Sequence, residues 1–179
     1  MHKILLALTG AALSAAVVAF PVYANQGPAS PARTNTQFRI TPGDLTITAP
    51  ASANLGTGSQ SGGTLVGHLG SVVVTDNRGD NPASWTASVK SSIFTDTSNG
   101  NTIPASQVTY APGATTSSSG SGGVFTPGAT VPLSASNQTA YTASGFVGAN
   151  SATWNPTLTV NTSTGPAGTF TGVITHSVA

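Results

Sequence analysis

Few side chains in this chain could do chemistry, and their spacing limits what that chemistry is. Past residue 24 there are two histidines, His68 and His176, and four aspartates, Asp44, Asp76, Asp80 and Asp96, with no glutamate and no cysteine. Nucleophilic catalysis needs a hydroxyl or thiol beside a base that a third group orients. Serines are abundant, but no Gly-x-Ser-x-Gly elbow leads into a helix. His68 lies between Gly67 and Leu69, and His176 shares the parity of Phe170 and Ile174. Both read as strand histidines, partly buried and hydrogen-bonded.

Paired carboxylates could serve glycoside hydrolysis. Asp76 and Asp80, however, flank Arg78, which would hold both ionised, the wrong direction for a general acid. The segment predicts a salt-bridged turn, with Gly79 at a positive φ. Its Asp and Asn content is that of a calcium loop, but the ligand-rich, Glu-terminated spacing is missing. Arg78-Gly79-Asp80 also spells the tripeptide that integrins read, a three-letter match of low specificity. Without cysteine there is no thiol chemistry, thiolate metal site or disulfide. No glycine loop leads from a strand to a helix with the Lys-Ser/Thr of a phosphate cradle. Lys90 falls on the polar parity opposite Trp85, which argues against a buried lysine–asparagine isopeptide. No catalytic residue, metal or cofactor is therefore expected, and the chain does not read as an enzyme.

The elements that would carry these residues are strands. The candidate runs are 37–41, 44–49, 67–75, 84–90, 107–111, 123–125, 138–143, 152–161 and 168–178, rich in Thr and Val between Gly, Pro, Asn and Ser clusters. Trp85, Ala87 and Val89 alternate with Thr86, Ser88 and Lys90. Trp154, Leu158 and Val160 share one parity, as do Phe170, Ile174 and Val178. Each segment thus has a core face and a solvent face, with both tryptophans inward. No stretch past residue 24 has a 3.6-residue apolar period. The fold class predicted is all-β, a single antiparallel sandwich of Ig-like or Greek-key type. The glycine- and serine-rich stretches 53–63 and 115–123 read as exposed loops within one domain.

Two further segments precede the domain. Met1, His2 and Lys3 form a basic start, Ile4 to Phe20 is almost unbroken apolar sequence, and Pro21 is followed by Val22-Tyr23-Ala24. That is the pattern of a secretory signal, a signal-peptide helix over 1–24 cleaved after Ala24. Residues 25–36 read as a flexible lead-in, and 37–179 as the sandwich domain. Past residue 24, Arg33, Arg39, Arg78 and Lys90 balance the four aspartates, so the formal charge is zero. Such a chain offers no basic stripe for nucleic acid and no polybasic membrane patch, and no membrane anchor is expected after cleavage.

Val72-Val73-Val74-Thr75-Asp76-Asn77-Arg78-Gly79, followed by Trp85-Thr86-Ala87, resembles the WxL family of Gram-positive surface proteins. That family shows a Val-rich strand, an Asp-x-Arg-Gly type of turn, then Trp-x-Leu. The block from Ala167-Gly168-Thr169-Phe170 to Thr175-His176-Ser177-Val178 is similar to the family's closing pattern. Leu45-Thr46-Ile47-Thr48-Ala49-Pro50 is similar to its first strand. The likeness spans roughly residues 37–179. Ala87 stands where Leu is usual, Phe170 for Tyr, His176 for Trp and Val178 for Leu, and Trp154 belongs to an additional strand, so the chain resembles a divergent member.

The resemblance implies a secreted β-sandwich, extracellular and bound non-covalently to the cell wall through peptidoglycan. It carries Trp85 over as a ligand contact, with His176 as a weaker positional equivalent. Trp154, Phe170, Asp76 and Arg78 are expected to be structural. The expected partners are cell-wall polysaccharide or, alternatively, other surface proteins with which an adhesive subunit would pair.

Overall fold

Alternating burial turns most of these runs into strands. The computed structural model describes residues 33–163 and 165–179. The expected signal-peptide helix (1–24) and most of the expected lead-in lie outside the described residues. In chain order the elements are β1 (Leu45–Thr48), β2 (Thr64–His68), β3 (Val72–Asp76), β4 (Ala83–Ser91), β5 (Phe94–Asp96), β6 (Thr102–Ile103), β7 (Val108–Ala111), β8 (Thr115–Ser119), β9 (Val124–Pro127), β10 (Val131–Pro132), β11 (Gln138–Phe146), β12 (Asn150–Trp154), β13 (Thr157–Asn161), β14 (Phe170–Thr171) and β15 (Ile174–Val178). Short 3-10 turns lie at Gln60–Gly62 and Ala105–Gln107.

All pairings are antiparallel. Sheet A has the order β1-β3-β12-β8, sheet B β10-β7-β13-β2, sheet C β15-β4-β11-β9, and a small sheet D β14-β5-β6. The protein is thus an all-β antiparallel sandwich. Its neighbouring strands are mostly distant in sequence, so the chain crosses repeatedly between layers.

Sheets A and B are two halves of one layer. β2 leads into β3, β7 into β8 and β12 into β13, and the three ribbons keep the same order in both sheets. Each ribbon breaks once, and the breaks lie close together. Gly70 (φ 90°) makes one, Gly113 (φ 76°) another, and Pro156, which lacks an N–H, the third. Across the gap the Leu69 N–H donates to the Pro156 carbonyl (3.0 Å) and the Gly70 N–H to Asn155 Oδ1 (3.1 Å).

Two clusters form the core. Between sheets A and C lie Val72, Val74, Ala152 and Trp154 on one side and Trp85, Ala87, Tyr141 and Phe146 on the other. Tyr141 stacks on Trp154 with ring centroids 4.6 Å apart, and Phe125 meets Phe146 at 4.3 Å with the rings tilted by 33°. Losing a buried tryptophan to alanine costs about 3–5 kcal/mol in such cores. The second cluster joins Val108, Tyr110, Leu158 and Val160 of sheet B to Val89, Ile103, Leu133 and Ala140.

Several sequence expectations are corrected here. Residues 37–41 form no strand, and Phe38 and Ile40 are 82% and 81% exposed. Their alternation lacks a neighbouring strand to pair with, and an unpaired strand is not stable in water. The long runs 67–75, 152–161 and 168–178 are each broken, the last at Gly172. Residues 115–119, expected as loop, form edge strand β8: β12 supplies backbone partners although the side chains face water. β5, β6 and β10 were not expected; at two or three residues each they are too short to show a period. The compact unit runs from Ile40 to Ala179. Of the unit before it, residues 33–39 are described, and they are irregular and exposed.

Candidate functional site

Asp76 ends β3, Asn150 opens β12, and the register sets them directly opposite one another. Alternation along β3 turns Asp76 inward, where it is fully buried. A buried carboxylate is costly unless it is paired and hydrogen-bonded. The chain folds back within two residues so that Arg78 lies over Asp76, and Gly79 (φ 77°) follows. Arg78 Nε donates to Asp76 Oδ1 and Nη2 to Oδ2, both at 2.9 Å, and the Arg78 backbone N–H reaches Oδ1 at 3.0 Å. This fork geometry is the strong form of the ion pair. It holds the Asp76 carboxyl below the usual carboxylate range against the opposing effect of burial, and raises the Arg78 guanidinium. Asp80, exposed and 3.6 Å from Nε, is a looser partner.

The same group of residues links the two layers. Arg78 Nη2 also donates to the Ser84 carbonyl of β4 (2.8 Å). Trp85 Nε1, on the next residue, donates to Asn150 Oδ1 (2.8 Å). Asn150 Nδ2 donates to the Gly148 carbonyl (3.3 Å). Asp76 and Asn150 belong to sheet A, and Ser84 and Trp85 to sheet C, so the cluster clamps one sheet to the other.

A second polar chain crosses the core. Trp154 Nε1 donates to the Tyr110 hydroxyl (3.2 Å), which pairs with His176 Nε2 (3.1 Å). Burial pushes the Tyr110 phenol up to about 12 and the His176 imidazole down to about 4. Both are therefore neutral near pH 7. His68, exposed on edge strand β2, pairs with Thr157 through Nδ1 (3.1 Å). Neither histidine has a carboxylate among its hydrogen-bond partners. Among the described residues no group of three or more His, Cys, Asp or Glu could hold a metal.

Trp85, expected as a ligand contact, stands in the core. It is 3% exposed and packs on Phe125 with centroids 5.9 Å apart, so its ring offers no face to a sugar. His176 is half-buried and committed to Tyr110. It borders a small hollow of about 190 Å³ with Pro50, Leu69 and Ile174. Trp154 lies in the first core cluster, Asp76 and Arg78 form the ion-paired turn, and Phe170 packs on the second cluster. Because Arg78 is bound on two sides, Arg78-Gly79-Asp80 does not present a free arginine. Sequence reasoning missed Asn150 and Tyr110. Parity held the signal for both: Asn150 lies in step with Ala152 and Trp154, and Tyr110 with Val108. Comparison with protein-family models, with curated proteins and with solved structures returns no match.

Two outcomes are expected. Asn150→Ala should destabilise by about 1–3 kcal/mol in denaturant titration, since it strands the Trp85 N–H. In a Trp85→Phe background, where no indole N–H remains, its cost should shrink. His176 binds its proton less readily folded (about 4) than at its ordinary 6.5. Stability should be full above pH 6.5 and fall as pH drops towards 4, because the unfolded chain takes up a proton that the folded chain refuses. The loss should be on the order of 2 kcal/mol, the ring being partly exposed. Thermal melts of His176→Gln should be flatter over this window.

Proposed function

We propose that this chain is a secreted, non-catalytic cell-surface module of WxL type that associates non-covalently with the cell wall through peptidoglycan. The clamp carries this reading. The Asp76-x-Arg78-Gly79 turn and Trp85, quoted above for their likeness to the family, work as one spatial unit with Asn150. Three of the groups that could have been reactive are engaged by neighbouring side chains: Asp76 with Arg78, His176 with Tyr110, His68 with Thr157.

What remains outside is neutral and rich in hydroxyls. Cross-strand register lines up Thr46, Thr75, Ser151 and Ser119 across sheet A, and Ser119 Oγ lies 2.8 Å from Ser151 Oγ. Such a surface suits an uncharged polysaccharide better than a strongly charged polymer. Among the described residues no helix is long and apolar enough to cross a membrane.

A second reading, an adhesive subunit that pairs with other surface proteins, draws on the open sheet edges. β2 is an edge strand whose Val66 is 57% exposed, and it carries no formally charged side chain. Open, uncharged edges favour strand addition.

Co-sedimentation with washed, purified Gram-positive cell walls tests the first reading. The protein is expected in the pellet at well above the level of a buffer control. A protein that stays in the supernatant contradicts wall association, and if it also elutes as an oligomer the adhesive reading takes over.

A further inference from the structure

An open groove of about 740 Å³ runs beside the second core cluster. One wall is the loop 53–58, the other the segment 165–172, and Leu65, Phe94, Ile103 and Val160 form its floor. The walls are tied together: Gln60 Nε2 donates to the Gly165 carbonyl (2.5 Å), and Thr162 Oγ1 to the Ser59 carbonyl (2.9 Å). The size falls in the range of small-ligand sites.

Its lining is mixed and carries no charge. Every side chain in contact with it is uncharged. The nearest acid, Asp96, is almost fully buried and held by Ser98, whose N–H (2.9 Å) and hydroxyl (2.5 Å) donate to it. Glycines line both walls, Gly56 and Gly58 on one and Gly168 and Gly172 on the other, and uncharged polar side chains stand among them, Asn54 and Thr57 facing Thr169 and Thr171. The Gly56 N–H itself donates to Asn54 Oδ1 (2.9 Å). Gly172 is required there, since a Cβ would stand 2.5 Å from the Phe94 ring. Half-buried Phe94 and Phe170 add aromatic surface below.

This lining selects its occupant by chemistry. A charged polymer would lose hydration and find no counter-charge. A purely apolar chain would strip water from the wall hydroxyls and amides without replacing it. An acetamido sugar meets both demands: its methyl and ring faces suit the floor, and its amide and hydroxyl groups can bond the uncharged polar side chains of the walls.

We propose that this groove is a glycan-binding site for an uncharged stretch of N-acetylhexosamine polymer. The inference rests on the wall-association reading, and places the contact away from Trp85.

The test is a nuclear magnetic resonance titration of isotope-labelled protein with chitohexaose, alongside the wall pull-down. Saturable shifts are expected at the amides of Gly56, Gly58, Gly165, Gly168 and Gly172. Ala167→Trp, at the exposed rim, should weaken binding by about tenfold or more. Ser118→Trp, on edge strand β8, should leave it unchanged. No saturable shift, or equal binding by Ala167→Trp, overturns the proposal. Shifts that follow protein concentration and ignore the sugar mark a second copy as occupant and also overturn it. Wall retention without a chitohexaose response removes this site and leaves the wall reading. A chitohexaose response without wall retention supports the site and removes that reading.

Discussion

A carboxylate buried at the end of a strand dictates much of what surrounds it. Asp76 has no exposure, and its inward position follows from the alternation of Val72 and Val74 before it. Left alone it would oppose folding, because an ion without water or a counter-ion is unstable in an apolar interior. The chain folds back within two residues so that Arg78 neutralises it. The guanidinium then reaches the Ser84 carbonyl of β4, and the next residue, Trp85, bonds Asn150. One neutralised charge is thereby bonded, with its neighbours, to groups of both sheets.

The rest of the sandwich follows a similar economy. With charges few and balanced, polar side chains are used where they satisfy buried partners, and solubility falls to threonine, serine and asparagine. Tyr110 serves Trp154 on one side and His176 on the other, so the second indole is satisfied as the first is. The long layer is interrupted beside Asn155, whose side chain supplies the partner of the Gly70 N–H. The neutral groove opens between the loop 53–58 and the C-terminal segment 165–172. Asp76, His176 and His68 are each engaged by a neighbouring side chain, Arg78, Tyr110 and Thr157.

Much of the fold was legible because period two has a clear physical cause. Ala83, Trp85, Ala87 and Val89 point inward where the alternation says they should. The break at Asn155 and Pro156 was hidden because Trp154, Leu158 and Val160 keep one parity across it while entering different core clusters. β8 was hidden because its serines face water, and its strand state depends on pairing with β12, a property of the partner. Phe38 and Ile40 show the converse, alternation with nothing to pair against. The ion pair of Asp76 and Arg78 could be read from spacing. The amide that meets Trp85 could not, since it depends on how two sheets lie over each other. Parity alone puts Trp85 inward, as found; the ligand-contact role comes only from the family resemblance, and the buried ring does not offer it.

Hydrogen exchange at the two indole N–H groups tests the central claim most directly. If Asn150 and Tyr110 hold them between the sheets, both should exchange only on global unfolding, as slowly as the most protected amides of β4 and β12. Exchange of the Trp85 indole at the pace of exposed loop amides would contradict the account.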